Sequence, residues 1–407
     1  MARSLIHDDT PKSTHTRDRP DAVERRLRQV GAWSMLYFLL QAELGLAWDR
    51  QWHDWVGRDR FWIPPHIMLY TGIGAAGLVA LAVVLIDTLR YYRKAVGADD
   101  DSTIPVFRFF HGPLGFVLLG FGTLTDLIAA PFDNYWHELY GIDVTLWSPF
   151  HIMGTLGGIL IGIGIIYIFA SEAAHERVME HRVWRFLGLN APQWGALIFL
   201  AAFMEFALPA LTAFNALSLG TFSIPSYPFI LALASACLIS AIQVTRKPGA
   251  AILTTLLLWL LSLGTQAFIP WALRSAVGMF GFTFRYGVTP TFNYTIALIP
   301  LLFLLCALLV DSVAYWQRRH GEGPDAPLRY AWILGICMAL LAVFVPPALV
   351  WSLVHFTPSI PTPQSIVLVL EPALSDLLLA LPLTAIIGAA SAQLGIFLGD
   401  IWYWSKC

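Results

Sequence analysis

An all-α, polytopic integral membrane bundle of about 10 or 11 transmembrane helices is the fold this sequence predicts. Three observations predict it. Of the 407 residues, 57% are hydrophobic and only 13% charged, with a mean hydropathy of +0.64, outside the range of water-soluble globular chains. Apolar runs of roughly 20 residues recur along the chain, the length that crosses a hydrocarbon core of about 30 Å. Lys and Arg gather on alternate connections between those runs. The same composition excludes disordered, collagen-like and coiled-coil chains, and a net charge of -2 offers no electrostatic footing for nucleic acid.

Each element follows from a run bounded by charge or turn residues. Residues 1–29 are a polar tail of mixed charge, without the short apolar core and small-residue cleavage site of a secretory leader. Spans are expected near Val30–Trp48, Pro64–Leu89, Val106–Ala130, Pro149–Ala170, Trp194–Phe214, Tyr227–Val244, Ala250–Phe268, Phe292–Trp316, Tyr330–Val354 and Ser365–Leu381. A further apolar segment, Thr384–Trp404, follows with no polar loop before it, so Pro382 marks either a kink or a tight turn. Cys237, Cys306, Cys337 and Cys407 are scattered through apolar surroundings and form neither a disulfide framework nor a thiolate metal site.

Orientation follows from the basic residues of the connections. Arg25, Arg26 and Arg28, then Arg90, Arg93 and Lys94, then Arg177, Arg182 and Arg185, then Arg246 and Lys247, then Arg318 and Arg319 fall on one side. That side is expected to be cytoplasmic, with the N-terminus on it, in a bacterial inner membrane. The intervening loop Phe132–Ser148 carries no Lys or Arg, whereas Trp48–Ile63 breaks the pattern with Arg50, Arg58 and Arg60.

Two of the extracytoplasmic hairpins match each other. At an offset of 84, Asp49, Trp52, His53, Gly57 and Asp59 fall on Asp133, Trp136, His137, Gly141 and Asp143. After a one-residue insertion, at an offset of 85, Trp62, Pro64, His66, Ile67, Met68 and Gly72 fall on Trp147, Pro149, His151, Ile152, Met153 and Gly157. The chain therefore divides into the tail, a duplicated region over 30–185 (first copy about 30–94, second about 106–185) and further transmembrane helices over 186–407 with no assigned role.

The spacing carries chemistry. Asp and His four residues apart share one helix face, so Asp49 with His53 and Asp133 with His137 project to a common point. Pro64 and Pro149 suit the first turn of the returning helix, which puts His66 and His151 at its start. Each hairpin thus offers an Asp/His/His triplet, the expected metal ligands. Imidazole and carboxylate suit copper, iron, zinc or manganese, and three protein ligands leave positions open, as in catalytic sites. The triplets can form one dinuclear centre or two mononuclear sites. Helix capping by the same residues is the plain alternative, but capping does not require six identical residues at identical spacings.

The Asp-x3-His pair followed by a His after about a dozen residues, set across a transmembrane hairpin, resembles the metal site in the C subunit of particulate methane and ammonia monooxygenases. Asp49, His53 and His66 match the pattern; Asp133, His137 and His151 match it with one extra residue before the second His. The resemblance implies copper bound by these residues, oxygen chemistry and partner membrane subunits. It covers about two dozen residues per copy. The departure is the doubling: that subunit has one triplet, and two in one chain leave iron open as the metal. The paired His-His boxes of membrane alkane hydroxylases and desaturases are absent.

Around the triplets, Asp59, Asp143, Glu43, Asp126, Trp52 and Trp136 are expected as outer partners. Asp59 and Asp143 would orient the His rings, Glu43 and Asp126 would be extra ligands or part of a proton path, and the indoles, with Trp48, Trp55, Trp62 and Trp147, would wall an apolar pocket. Pro131 threatens the helix between Asp126 and Asp133. Glu205, Glu371 and Asp376 are intramembrane acids far along the chain from the repeat, expected to serve buried hydrogen bonds or a cavity, and Asp311 is a further intramembrane acid with no assigned role. His111, His175, His181 and His320 fall toward the other side, and His355 is isolated.

These residues point to a membrane-bound, copper- or iron-dependent oxidoreductase, a monooxygenase acting on a small apolar molecule or lipid, fed electrons by a donor. No separate catalytic base is identifiable. The competing readings are a membrane protein of metal transport or delivery, and a metal-binding subunit without catalysis. The transport reading predicts polar ligands along a route through the bilayer.

Overall fold

The computed structural model describes residues 22–57, 61–95, 103–140, 148–178, 184–212, 216–219, 222–225, 227–285, 287–320, 328–344 and 374–403. It is a helical bundle. Helices α1 (Ala22–Trp55), α2 (Pro64–Tyr92), α3 (Leu114–Tyr140) and α4 (Pro149–Val178) precede α5 (Ala191–Thr212), α6 (Tyr227–Thr245) and α7 (Ala250–Phe280). A short α8 (Tyr294–Leu298), α9 (Phe303–Arg319), α10 (Ala331–Phe344) and α11 (Leu374–Asp400) follow. Six helices among the described residues are long and apolar enough to cross a membrane: Val23–Trp55, Pro64–Tyr92, Leu114–Tyr140, Pro149–Glu176, Ala250–Phe280 and Leu381–Asp400. Shorter apolar helices occur over Ala191–Phe206, Ala234–Thr245 and Ala331–Leu341.

The span boundaries shift where proline and glycine act. A helix expected from Val106 begins instead at Leu114. Residues Thr103–Val106 (β1) and Phe110–Pro113 (β2) form an antiparallel hairpin pairing Thr103 with Pro113. Pro105 cannot donate to a helical ladder, and Pro113, with its preset φ, leads into α3. A second hairpin pairs β3 (Ala216–Leu219) with β4 (Phe222–Pro225). The run Phe292–Trp316 is broken by Pro300 into α8, a 3-10 turn over Ile299–Leu302, and α9. Pro131 and Pro382 behave differently: α3 and α11 run through them unbroken, so Leu374–Asp400 is one helix. Pro382 is therefore not a turn between two spans. The ends of the expected spans at Val354 and Ser365 lie outside the described residues.

Helix α1 packs along α2, and α3 along α4, as two antiparallel hairpins joined through the contact of α2 with α3. The first crossing is set by Gly72, whose absent Cβ would lie 2.7 Å from the carbonyl oxygen of Phe38 and 2.8 Å from the Ala42 nitrogen. The second is set by Gly157, whose Cβ would lie 2.9 Å from the carbonyl oxygen of Gly122 and would collide with the Asp126 carboxylate. Phe38 and Gly122, like Ala42 and Asp126, are partners at the offset of 84. The duplication thus holds in the helix crossing as well as in the sequence.

Three clusters bury the apolar faces among the described residues, and two of them make up most of the core. Met35, Ala76, Phe116, Leu119, Ile165 and Phe169 centre the first, between the two hairpins. Leu197, Leu238, Ile239, Leu258, Ala307 and Met338 centre the second, among α5, α6, α7, α9 and α10. In the second, Gly335 and Gly388 bring α10 and α11 into backbone contact, and Ser240 donates to the Gly395 carbonyl oxygen at 3.0 Å. Close backbone approach through small residues is the usual means of packing helices where lipid removes the hydrophobic driving force.

Polar groups at the end opposite the triplets also pair within the bundle. Arg28 is buried between Glu24 and Asp87, at 2.5 and 3.0 Å, and Arg90 reaches Glu24 at 3.2 Å. Asp311 of α9 caps α7 from outside: its carboxylate accepts from the backbone nitrogens of Gly249 (2.7 Å), Ile252 (2.9 Å) and Ala251 (3.4 Å). Gly249 itself stands at φ 94° and supplies no capping side chain, so α9 provides the missing acceptor.

Two candidate metal sites

Alternation of the first four helices puts the C-terminal ends of α1 and α3 and the N-terminal ends of α2 and α4 at the same end of the bundle. Each triplet is assembled there from one hairpin. Asp49 and His53 lie one turn apart near the end of α1, and His66 stands in the first turn of α2 behind Pro64 and Pro65. Asp133 and His137 repeat the arrangement on α3, and His151 follows Pro149 on α4. Ser148 begins α4 with its hydroxyl accepting from the His151 backbone nitrogen at 3.2 Å. In the first hairpin the chain turns through Gly57 at φ 71°, a left-handed conformation that favours glycine.

In the first site, Asp49 Oδ1 lies 3.1 Å from His66 Nε2 and Asp49 Oδ2 lies 3.6 Å from His53 Nε2. In the second, Asp133 Oδ1 lies 3.3 Å from His151 Nε2 and Asp133 Oδ2 lies 3.3 Å from His137 Nε2. Within each triplet, one ligand atom per residue falls within 4.8 Å of the others. Bonds of about 2.1 Å at angles between 90° and tetrahedral require ligand atoms about 3.0 to 3.4 Å apart. The Asp–His separations of 3.1 to 3.6 Å lie near that range, and each triplet is a group that could hold a metal ion.

Two details are compatible with convergence on a cation. Asp49 Oδ1 and Asp133 Oδ1 are buried and make no hydrogen bond of normal geometry, although each faces an imidazole nitrogen. A buried acceptor left unsatisfied is costly unless another partner takes it. His66 Nδ1 lies 3.2 Å from the carbonyl oxygen of Phe61. With the proton on Nδ1 donated to that carbonyl, the Nε2 lone pair points to the ligand cluster.

The outer residues separate. Trp52 is fully buried against Phe282 at 5.6 Å and joins Trp48, Ile269 and Leu273 in a wall between α1 and α7. Trp136 instead packs on Tyr140 and Phe150, at 4.4 and 6.0 Å, within its own hairpin. Trp62 is exposed and forms no part of a pocket wall. Asp126 is set against the Gly157 crossing of α4, two turns from Asp133 on the uninterrupted α3. Glu43 lies within electrostatic reach of Glu205 on α5 and of Arg50 on its own helix. Asp59, Asp143, Trp147, His181, His355 and Glu371 lie outside the described residues, as does the side chain of Asp376. His111 stacks on Tyr91 at 3.7 Å, while His175 and His320 bond the carbonyl oxygens of Ser171 and Trp316 a turn earlier, all away from the triplets.

Arg50, counted only as a basic loop residue in the sequence, lies inside α1 among Glu205, Glu43, Asp49 and Asp54. Its seven-residue spacing from Glu43 put both on one helix face and was the available signal. The Phe61 carbonyl had no sequence signal, because backbone acceptors carry none. No protein-family model, curated protein or solved structure matches this chain.

Proposed function

We propose that this chain is a membrane oxygenase, with two mononuclear copper or iron sites, that hydroxylates a small apolar molecule drawn from the bilayer. The observation that carries the proposal is the paired triplet: three ligand atoms within 4.8 Å in each hairpin. A site with three protein ligands has coordination positions left for dioxygen. Copper or iron held there would supply the one-electron chemistry that spin-paired organic groups cannot. The reaction inserts one oxygen atom of dioxygen into a C–H bond and releases the other as water, consuming two electrons and two protons. The reductant is an external donor, a quinol or a redox protein.

The chain's own residues have defined parts. Asp49 and Asp133 supply the negative charge that offsets a cation in an apolar setting. His53, His66, His137 and His151 supply neutral nitrogen ligands, with the Phe61 carbonyl orienting His66. The Lys/Arg bias of the connections supports an extracytoplasmic position for both sites, with the N-terminus cytoplasmic.

Metal analysis and electron paramagnetic resonance on detergent-purified protein test the proposal. Two equivalents of copper or iron are expected in the wild type and one in each of His53→Ala and His137→Ala; absence of metal from the wild type sinks the reading. Isotopically labelled dioxygen supplied with a quinol and short alkanes should place label in an alcohol. Metal binding without label incorporation would leave metal delivery as the better account. The Glu43, Arg50 and Glu205 group beyond the first site favours that second reading, and metal uptake into proteoliposomes would establish it.

A further inference from the structure

Three helices meet behind the first triplet and bring charged side chains together inside the bundle. Glu43 and Arg50 lie seven residues apart on α1 and so share a face. Glu205 of α5 faces both, and the Ser262 hydroxyl of α7 hydrogen-bonds with Glu205. Glu43 Oε1, Arg50 Nε and Glu205 Oε2 are buried without a hydrogen-bond partner among the described residues. Two acids against one base leave one negative charge in excess, in a setting where an unbalanced charge is costly. A proton on either carboxyl removes that excess, since two carboxylates that occupy one buried site do not both ionise freely.

Arg50 ties this group to the ligands. Besides Glu43 and Glu205 it faces Asp49, its chain neighbour in the first triplet, and Asp54, which His53 and Arg285 also face. One guanidinium is thus divided between the acid pair and the triplet. Among the described residues, no charged side chain of α2, α4 or α7 acts on Glu43 or Glu205. Glu43 precedes Asp49 by six residues, a rise of about 9 Å along the helix. At that distance a divalent ion beside Asp49 acts on the pair in two ways. Its charge favours carboxylate over carboxyl, and by neutralising Asp49 it leaves Arg50 to the pair.

The second copy has no such group. At the offset of 84, Glu43, Arg50 and Asp54 fall on Leu127, Asn134 and Glu138. Leu127 is exposed, and Asn134 donates to Glu138 at 2.9 Å. Asp126, the buried acid of that hairpin, is faced by no cation and no second carboxyl among the described residues. The two triplets carry the same three ligands, so the repeat is an internal control for what the acid pair adds.

We infer that Glu43 and Glu205 form a proton-binding pair that Arg50 couples to the first triplet alone: the pair holds one proton in the absence of a bound cation and releases it when a divalent cation binds there. The exchange balances, because one proton leaves a carboxyl for solvent as the cation's charge enters, and Arg50 stays protonated throughout. The inference rests on the first triplet being a metal site. It deepens the proposed function, since a reaction that consumes protons needs a store of them near the metal.

Copper(II) added to the full chain in nanodiscs, at neutral pH, tests the coupling. His137→Ala holds copper at the first site alone and His53→Ala at the second alone. Calorimetry in buffers of different ionisation enthalpy counts the protons released per ion. Adding Glu43→Gln and Glu205→Gln should lower that count by about one proton in His137→Ala and leave it unchanged in His53→Ala, with one equivalent of copper still bound in each. The difference infrared spectrum of His137→Ala, with the pair intact, should lose a protonated-carboxyl band on copper addition, and the band should be absent from the glutamine variant. Arg50→Gln in His137→Ala, which removes the counter-charge of the ionised pair, should keep the band after copper binds. A proton count unmoved by the glutamines, an equal change at both sites, no carboxyl band, or a band lost without Arg50 would each overturn the coupling with metal binding intact. A wild type that binds no copper would instead overturn the metal reading itself.

Discussion

Gly72 and Gly157 occupy the same crossing point in two different hairpins, each pressed against the backbone of the preceding helix. Around that shared crossing the second copy differs, with Asp126 in place of Ala42. Gly157→Ala should therefore lower the thermal midpoint of the purified protein, with a cost of about 1–3 kcal/mol from overpacking against backbone atoms that cannot retreat. Gly158→Ala, one residue on and with no atom of the described residues within 4 Å of the added methyl, should be neutral or stabilising by about 0.5–1 kcal/mol through helix propensity. Equal effects of the two substitutions would contradict the crossing geometry.

Trp52→Ala removes the largest fully buried side chain of the wall between α1 and α7. The expected cost is about 3–5 kcal/mol. Because the wall stands behind the first triplet, copper(II) loaded as a probe on the two proposed sites should leave the first faster under chelator challenge, while the second keeps its release rate. Parallel loss from both sites would argue against the separation of the two environments.

Asp311 is the external cap of α7, and its removal leaves backbone N–H groups of Gly249 and Ile252 without their acceptor. Asp311→Ala should destabilise by about 1–3 kcal/mol, and Asp311→Asn by less, since the amide oxygen still accepts. Hydrogen exchange at the first turn of α7 is the direct measurement, with faster exchange expected in the alanine variant.

Arg28 compensates two buried carboxylates, Glu24 and Asp87. Arg28→Met should cost about 3–5 kcal/mol because it leaves buried charge unpaired. Adding Glu24→Gln and Asp87→Asn to Arg28→Met should recover most of that loss in the thermal midpoint. Failure to recover would mean that the packing of the arginine stem, not its charge, carries the stability.

Much of this protein is legible without coordinates. Helices that cross a membrane must satisfy their backbone internally, so length and hydropathy announce α1, α2, α3, α4 and α7 with little help from context. Prolines are the exception, since their effect depends on neighbours: Pro300 breaks a helix and Pro131 and Pro382 do not. The candidate Asp/His/His triplets were also legible, because their spacing is local on α1 and α3 and the returning helix begins at a proline in both copies.

The sequence by itself determined the helical membrane class, the doubled hairpin and the six residues Asp49, His53, His66, Asp133, His137 and His151. Periodicity and repetition are properties of the chain order, and no packing is needed to read them. Only the tertiary structure decided that each triplet converges within its own hairpin, that α7 closes over the first and that Arg50 faces Glu43 and Glu205. Those relations join segments far apart in the chain, and they depend on which helix faces meet.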